Sequence, residues 1–258
     1  MARTFDGVDD QLQCSIGACS GAGTGFGTFA AIVRRSANGT GDDVICLEDN
    51  ASHVVEFAIN SSNVVTFYNG VSTRRTTFTV LTANGWHCIV YKKATGTVSG
   101  RFGKYQYSND TWTFEDSSDG TQANWATGLG AGAKVTLGAF NLAGPGNFFA
   151  GDIAIAAFWG GTALTDAQCQ MLPHDLMAWF QVQPTGLWLL DQAATTQAVN
   201  DLTGGGANQS SLTGTTVASS SAPFGYGAPS MGWEAPTLGP AGGGGGSSAG
   251  TRMMLMGC

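Results

Sequence analysis

The chain has 258 residues, of which only 11% are charged, and its formal net charge is −7. So few Lys, Arg and Glu exclude a helical bundle, whose exposed faces need them. No cationic run exceeds two residues (Arg34-Arg35, Arg74-Arg75, Lys92-Lys93), so the basic stripe that displaces counterions from phosphates is missing and a nucleic-acid binder is excluded.

Period-2 patterning dominates the chain and predicts many short strands. Met1 to Asp6 leads into the first strand pattern, followed by Leu12–Ile16, Thr28–Arg34 and Val44–Glu48. In His53–Ile59, Val55, Phe57 and Ile59 share one face. Val64–Tyr68 runs into Asn69-Gly70, a hairpin signal because both residues accept positive φ. Arg74–Val80 is a weaker pattern. In Gly85–Tyr91, Trp86, Cys88 and Val90 alternate with His87, Ile89 and Tyr91. Gly100–Ser108, Thr111–Glu115 and Lys134–Gly138 follow, then the apolar run Asp152–Trp159 and finally Leu187–Asp191. Strands of this kind with turn signals between them predict an all-β, antiparallel two-sheet sandwich in a domain spanning 1–222.

One helical stretch interrupts the strands. Thr165-Asp166-Ala167-Gln168 reads as a capping box with Thr165 as N-cap, and Pro173 stops the helix. A second short helix is expected over Asp175–Val182. No apolar leader is visible at the start, and no run approaches the ~18 apolar residues of a membrane helix, so membrane insertion is not expected. The cysteines Cys14, Cys19, Cys46, Cys88, Cys169 and Cys258 show no paired spacing for zinc. They read as packed thiols, with a Cys14–Cys19 bridge left open.

Four segments carry a family likeness. Phe5-Asp6-Gly7-Val8-Asp9-Asp10 resembles the opening strand of bacterial and phage laminin-G-like domains in the concanavalin-like superfamily. Trp86-His87 resembles their mid-domain strand. Gly151-Asp152-Ile153 through Phe158-Trp159, then Ala163-Leu164-Thr165, resembles a late segment. Gly186-Leu187-Trp188-Leu189-Leu190-Asp191, with Asp201-Leu202-Thr203-Gly204 and Leu212-Thr213-Gly214-Thr215, resembles a run that usually stands first, which implies a permuted order. The resemblance covers roughly residues 4–220 and implies a concanavalin-like jelly roll. Related domains often carry calcium at the sandwich edge, which makes Asp6, Asp9, Asp10 and Asp152 candidate calcium ligands; the competing reading is that these residues cap turns. No other cofactor is expected.

Catalysis is not expected, and no catalytic residue is assigned. A glycosidase needs two facing carboxylates, which on one strand means acids two or four residues apart, and the four Glu (Glu48, Glu56, Glu115, Glu234) form no such run. No G-x-S-x-G elbow occurs. His87 and Cys88 are sequence neighbours on a strand and point to opposite faces. Gly21–Gly27 and Gly100–Tyr105 lack phosphate-loop register and read as turns.

Two function classes remain. Tyr105, Tyr107, Trp112 and Trp125 fall in polar, loop-rich stretches where aromatics bind sugars or fill an interface; otherwise they plug the sandwich ends. After residue 222 the composition shifts to Pro and Gly, with Gly242 to Gly246 consecutive and Met253, Met254, Leu255 and Met256 forming an apolar tip. Segment 223–258 is therefore expected to be an assembly tail that orders against other copies of the chain. The expected function is a non-enzymatic, homo-oligomeric phage virion surface component (capsid decoration, head fibre or tail protein) that contacts other virion proteins and binds host glycans. The alternative is a lectin-like module of a bacterial surface or secreted protein.

Overall fold

The computed structural model describes residues 2–15, 25–36, 42–50, 53–69, 73–75, 81–94, 100–117, 129, 133–140, 146–190, 202, 209–213 and 216–217. In chain order the strands are β1 (Arg3–Asp6), β2 (Gln11–Ser15), β3 (Gly27–Arg35), β4 (Asp42–Asn50), β5 (His53–Ile59), β6 (Val65–Tyr68), β7 (Thr73–Arg75) and β8 (Trp86–Lys93). Then come β9 (Arg101–Gln106), β10 (Thr111–Asp116), β11 (Lys134–Leu137) and β12 (Ala150–Gly160). Helix α1 (Asp166–Met171) and a 3₁₀ turn (Leu176–Phe180) precede β13 (Gly186–Leu189), β14 (Gln209–Thr213) and β15 (Thr216–Val217).

The strands form two antiparallel sheets. The first runs β10-β9-β8-β3-β12-β1-β15, with β13 also paired to β12, and the second runs β14-β2-β11-β4-β5-β6-β7. Their facing sides enclose one core. Phe29, Ala31 and Val33 of β3, Ile89 and Tyr91 of β8, and Phe158 of β12 meet Leu47, Val55, Phe57 and Phe67 of the second sheet. Ring pairs across the gap include Phe29–Phe57 at 5.9 Å and Phe67–Tyr91 at 4.0 Å. An aromatic-rich core of this kind supplies the large apolar area that a low-charge chain relies on for stability.

The apolar run of β12 is explained by burial on both faces. A bulge between Ile153 and Ile155 resets its alternation, so Ile153, Ala156 and Phe158 face the core while Ala157 and Trp159 lie on the outer face. Segment 161–182 covers that outer face. The Leu164 amide donates to Thr28 Oγ1 at 2.9 Å, Thr28 Oγ1 donates to the Thr162 carbonyl at 3.1 Å, and the Trp159 and Trp179 rings stack at 6.1 Å. The Trp179 indole N–H donates to the Leu172 carbonyl at 2.9 Å, which satisfies the polar end of a fully buried ring. The capping box at Thr165 forms as its residues predict, with the Gln168 amide donating to Thr165 Oγ1 and the Thr165 amide donating to Gln168 Oε1. The expected second helix is a 3₁₀ turn, capped by Asp175.

Arg35 Nε donates to Asp42 Oδ2 at 2.5 Å, both side chains being wholly buried, and the same guanidinium reaches Asn63 Oδ1. Among the described residues Cys14, Cys46, Cys88 and Cys169 are buried; Cys19 and Cys258 lie outside the described residues. The Asn69-Gly70 signal does lie between paired strands, because β6 and β7 pair with Tyr68 opposite Thr73. Strands β14 and β15 were not anticipated. No helix among the described residues is long and apolar enough to cross a membrane.

Candidate functional site

The first sheet ends in β8, β9 and the edge strand β10, whose registers place Lys92 opposite Arg101 and Arg101 opposite Asp116. These three side chains stand on the outer face, beside the start of segment 161–182. A half-open cleft of about 480 Å³ lies there, lined by Lys92, Ala94, Arg101, Asp116, Ala163, Leu164 and Thr165. Lys92 Nζ donates to the Leu164 carbonyl at 2.8 Å and pairs with Asp166 at 2.5 Å. Arg101 pairs with Asp166 at 3.2 Å and with Asp116 at 3.5 Å. Its Nε is buried and has no hydrogen-bond partner. The lining joins the alkyl carbons of Ala94, Ala163 and Leu164 to two cations and the Asp116 carboxylate, with Asp166 paired to both cations.

An aromatic row runs from this cleft along β9 and β10. The Phe114 ring lies beneath Lys92 Nζ (5.9 Å) and Arg101 Cζ (5.5 Å). Trp112 stacks on Phe114 at 4.9 Å with the rings nearly parallel, and Tyr105 lies 5.6 Å from Trp112. Gly103 makes the row possible, since a Cβ there would come within 2.7 Å of the Phe114 ring.

Of the expected sugar-contact aromatics, Tyr105 and Trp112 stand within β9 and β10, and Tyr107 stands in the turn between them. Tyr105 is buried within β9, and its hydroxyl donates to Asp110 Oδ1 at 2.6 Å. Its ring packs on Tyr107 and His174, and the Tyr107 hydroxyl donates to the Pro173 carbonyl at 3.0 Å. Both tyrosines fasten segment 161–182 to the sheet. Trp112 is half-buried in β10, with its indole N–H buried and unpartnered. Trp125, and the tail residues Met253, Met254, Leu255 and Met256, lie outside the described residues.

The aspartates divide in two. Oxygens of Asp6, Asp9 and Asp10 lie within 4.8 Å of one another. Asp6 Oδ1 accepts from the Val8 amide, and Asp10 Oδ2 accepts from the Asp6 amide at 2.6 Å. Gly7 turns the chain there at φ +80°, where any Cβ would also strike Ala150. Burial, partly offset by the Asp6 amide, raises the Asp10 carboxyl to about 6, and its Oδ1 is buried without a partner. Three carboxylates with an oxygen to spare fit a hard cation, whose remaining ligands would be carbonyls and water. Asp152 does not join them: its Oδ1 accepts from Thr4 Oγ1 at 2.5 Å and its Oδ2 is held by Arg34. Those bonds occupy the oxygens a metal would need.

A second acidic group escaped the spacing argument. Asp43, Glu48 and Glu56 lie on adjacent strands β4 and β5 around Cys46, on the outer face of the second sheet. Burial, followed by the charge of Glu48, raises Glu56 to about 7, and burial pushes Asp43 well up. Acids several strand positions apart in sequence meet across a register, which a search along one strand misses. Nucleophile chemistry finds little support. Burial pushes Cys169 up to about 12 and Cys46 and Cys88 well above the usual thiol value, and burial, with Lys104 beside it, lowers His87 to about 4.

No protein-family model and no curated protein matches the chain. Among solved structures, it is similar to a provisionally assigned carbohydrate-binding protein from Bacteroides ovatus, with a TM-score of 0.59, 16% identity and 83% of this chain covered. The chain spans 58% of that protein's length. Weaker likenesses are to a heptameric SAP-like pentraxin from Limulus polyphemus (TM-score 0.43, 12% identity, 68% of this chain and 83% of that one) and to the CBM40 of the Ruminococcus gnavus IT-sialidase (TM-score 0.45, 10% identity, 67% and 97%). The chain has the concanavalin-like, laminin-G-like jelly-roll fold.

Proposed function

We propose that this protein is a non-catalytic glycan-binding module and that the cleft at Lys92, Arg101 and Asp116 is where the sugar sits. The observation that carries the reading is the combination, in one half-open cleft, of alkyl surface from Ala94, Ala163 and Leu164 with the hydrogen-bonding side chains of Lys92, Arg101 and Asp116. The fold it shares with the Bacteroides ovatus protein supports the same reading at the level of architecture. A function does not follow from a fold, so the test is direct: labelled protein on a glycan array should give saturable, sugar-competed signal, and no array sugar should be cleaved. A blank array, or turnover abolished by Glu56→Gln, contradicts the reading.

The setting we propose is display on a phage virion surface, with 223–258 as the assembly element. It is supported by the composition of that segment: five consecutive glycines lose much entropy on ordering and need a partner's contacts, and the Met253–Met256 tip suits an apolar groove. Asp6, Asp9 and Asp10 would hold a calcium ion that tethers the β1–β2 turn. Millimolar calcium is then expected to raise the melting temperature by a few degrees, on the scale of about 1 kcal/mol, reversed by chelator and absent in Asp10→Asn. An unchanged melting curve leaves these residues as turn caps.

A further inference from the structure

We infer that the cleft selects the uncharged ring of a neutral saccharide over an acidic sugar of the same stereochemistry, an assignment that rests on the glycan-binding function proposed above. The charges in the cleft already cancel. Lys92 and Arg101 are both neutralised by Asp166, and Arg101 also by Asp116. A ligand carboxylate would have to displace these partners to reach a cation. It would also meet the carboxylates of Asp116 and Asp166, whose side chains are 72% and 40% exposed. The whole chain, at −7, adds long-range repulsion of anions.

What the cleft offers instead suits a neutral pyranose. Ala94, Ala163 and Leu164 present alkyl surface to the C–H face of a ring. Arg101 donates and Asp116 accepts from neighbouring positions across the β9–β10 register, so the pair can bind two adjacent hydroxyls, one as acceptor and one as donor. The volume, about 480 Å³, lies in the lower part of the range for small-molecule sites, roughly 300–1,000 Å³.

The experiment uses matched pairs that differ only at C6: methyl glucoside with methyl glucuronide, and methyl galactoside with methyl galacturonide. Saturation-transfer NMR titrations on the full chain give their affinities. The better neutral sugar is expected to bind at least tenfold tighter than its uronide. Asp116→Ala, at an exposed position, and Ala94→Trp, which fills the cleft, should each weaken neutral binding at least tenfold while the circular dichroism spectrum is kept. Uronides that bind as tightly as their neutral partners, or neutral binding untouched by both variants, would overturn the assignment and leave glycan binding standing. Absence of binding by every sugar, here and on the array, would overturn both.

Discussion

Glu56 stands opposite Cys46 on the outer face of the second sheet, with Glu48 and Asp43 on the neighbouring strand. Glu48 is already engaged, accepting from Thr136 Oγ1 at 3.2 Å. Burial disfavours ionisation and the charge of Glu48 adds to it, which is why Glu56 is raised from 4.5 to about 7. A carboxyl with a folded pKa above its unfolded value favours the folded state while it is protonated. The contribution is complete below about 4.5 and is lost as the pH climbs through about 7. The melting temperature is therefore expected to rise as the pH is lowered from 8 to 5.5. With discount for partial exposure, the gain is on the order of 1 kcal/mol, or roughly 2–4 °C for a domain of this size. Glu56→Gln should be more stable than the parent at pH 8 and flatten the slope. A slope of the same sign and size in the Gln variant would assign the effect to other groups, Asp43 first.

Segment 161–182 converts an open sheet face into a second buried layer, and its hold on the sheet depends on a few large side chains. Trp179 is fully buried against Trp159, and Cys169 and Leu172 are buried beside it in the same segment. Trp179→Ala should cost about 3–5 kcal/mol, with hydrogen exchange accelerated first in residues 164–182 and only later in β3 and β12. Uniform acceleration across both sheets would mean that the segment is not a separable layer. This element was legible in the sequence because its signals are local: a capping box, a proline stop and a long apolar run before it. Strands β14 and β15 were not, since Gln209–Thr213 holds a single large apolar residue, Leu212, and shows no alternation. Tyr105 and Trp112 fall in the strand patterns Gly100–Ser108 and Thr111–Glu115, and the polar stretch between them, Tyr107–Asp110, is the turn of a hairpin. The cleft left no local trace at all. Lys92, Arg101 and Asp116 come from three strands, and only the register brings them together.

At the scale of the whole molecule, the sandwich and the terminal segment carry separate claims. Every described strand ends before residue 218, so a chain stopped after Pro223 is expected to keep the strand-rich circular dichroism spectrum and the melting transition of the parent. On the proposed reading it should lose self-association in analytical ultracentrifugation. Retained oligomers would remove the assembly role from 223–258. On the proposed function glycan recognition belongs to the sandwich, so the shortened chain should bind sugar as the full one does. On the proposed function a neutral glycan sits on the outer face of the first sheet. The most direct test is amide chemical-shift mapping of the shortened chain with the strongest sugar from the array. The expected result is a contiguous set of perturbed amides in Lys92–Ala94, Arg101–Gly103, Phe114–Ser117 and Ala163–Asp166. Perturbations confined instead to the Asp6–Asp10 turn, or to the outer face of the second sheet around Glu56, would contradict it.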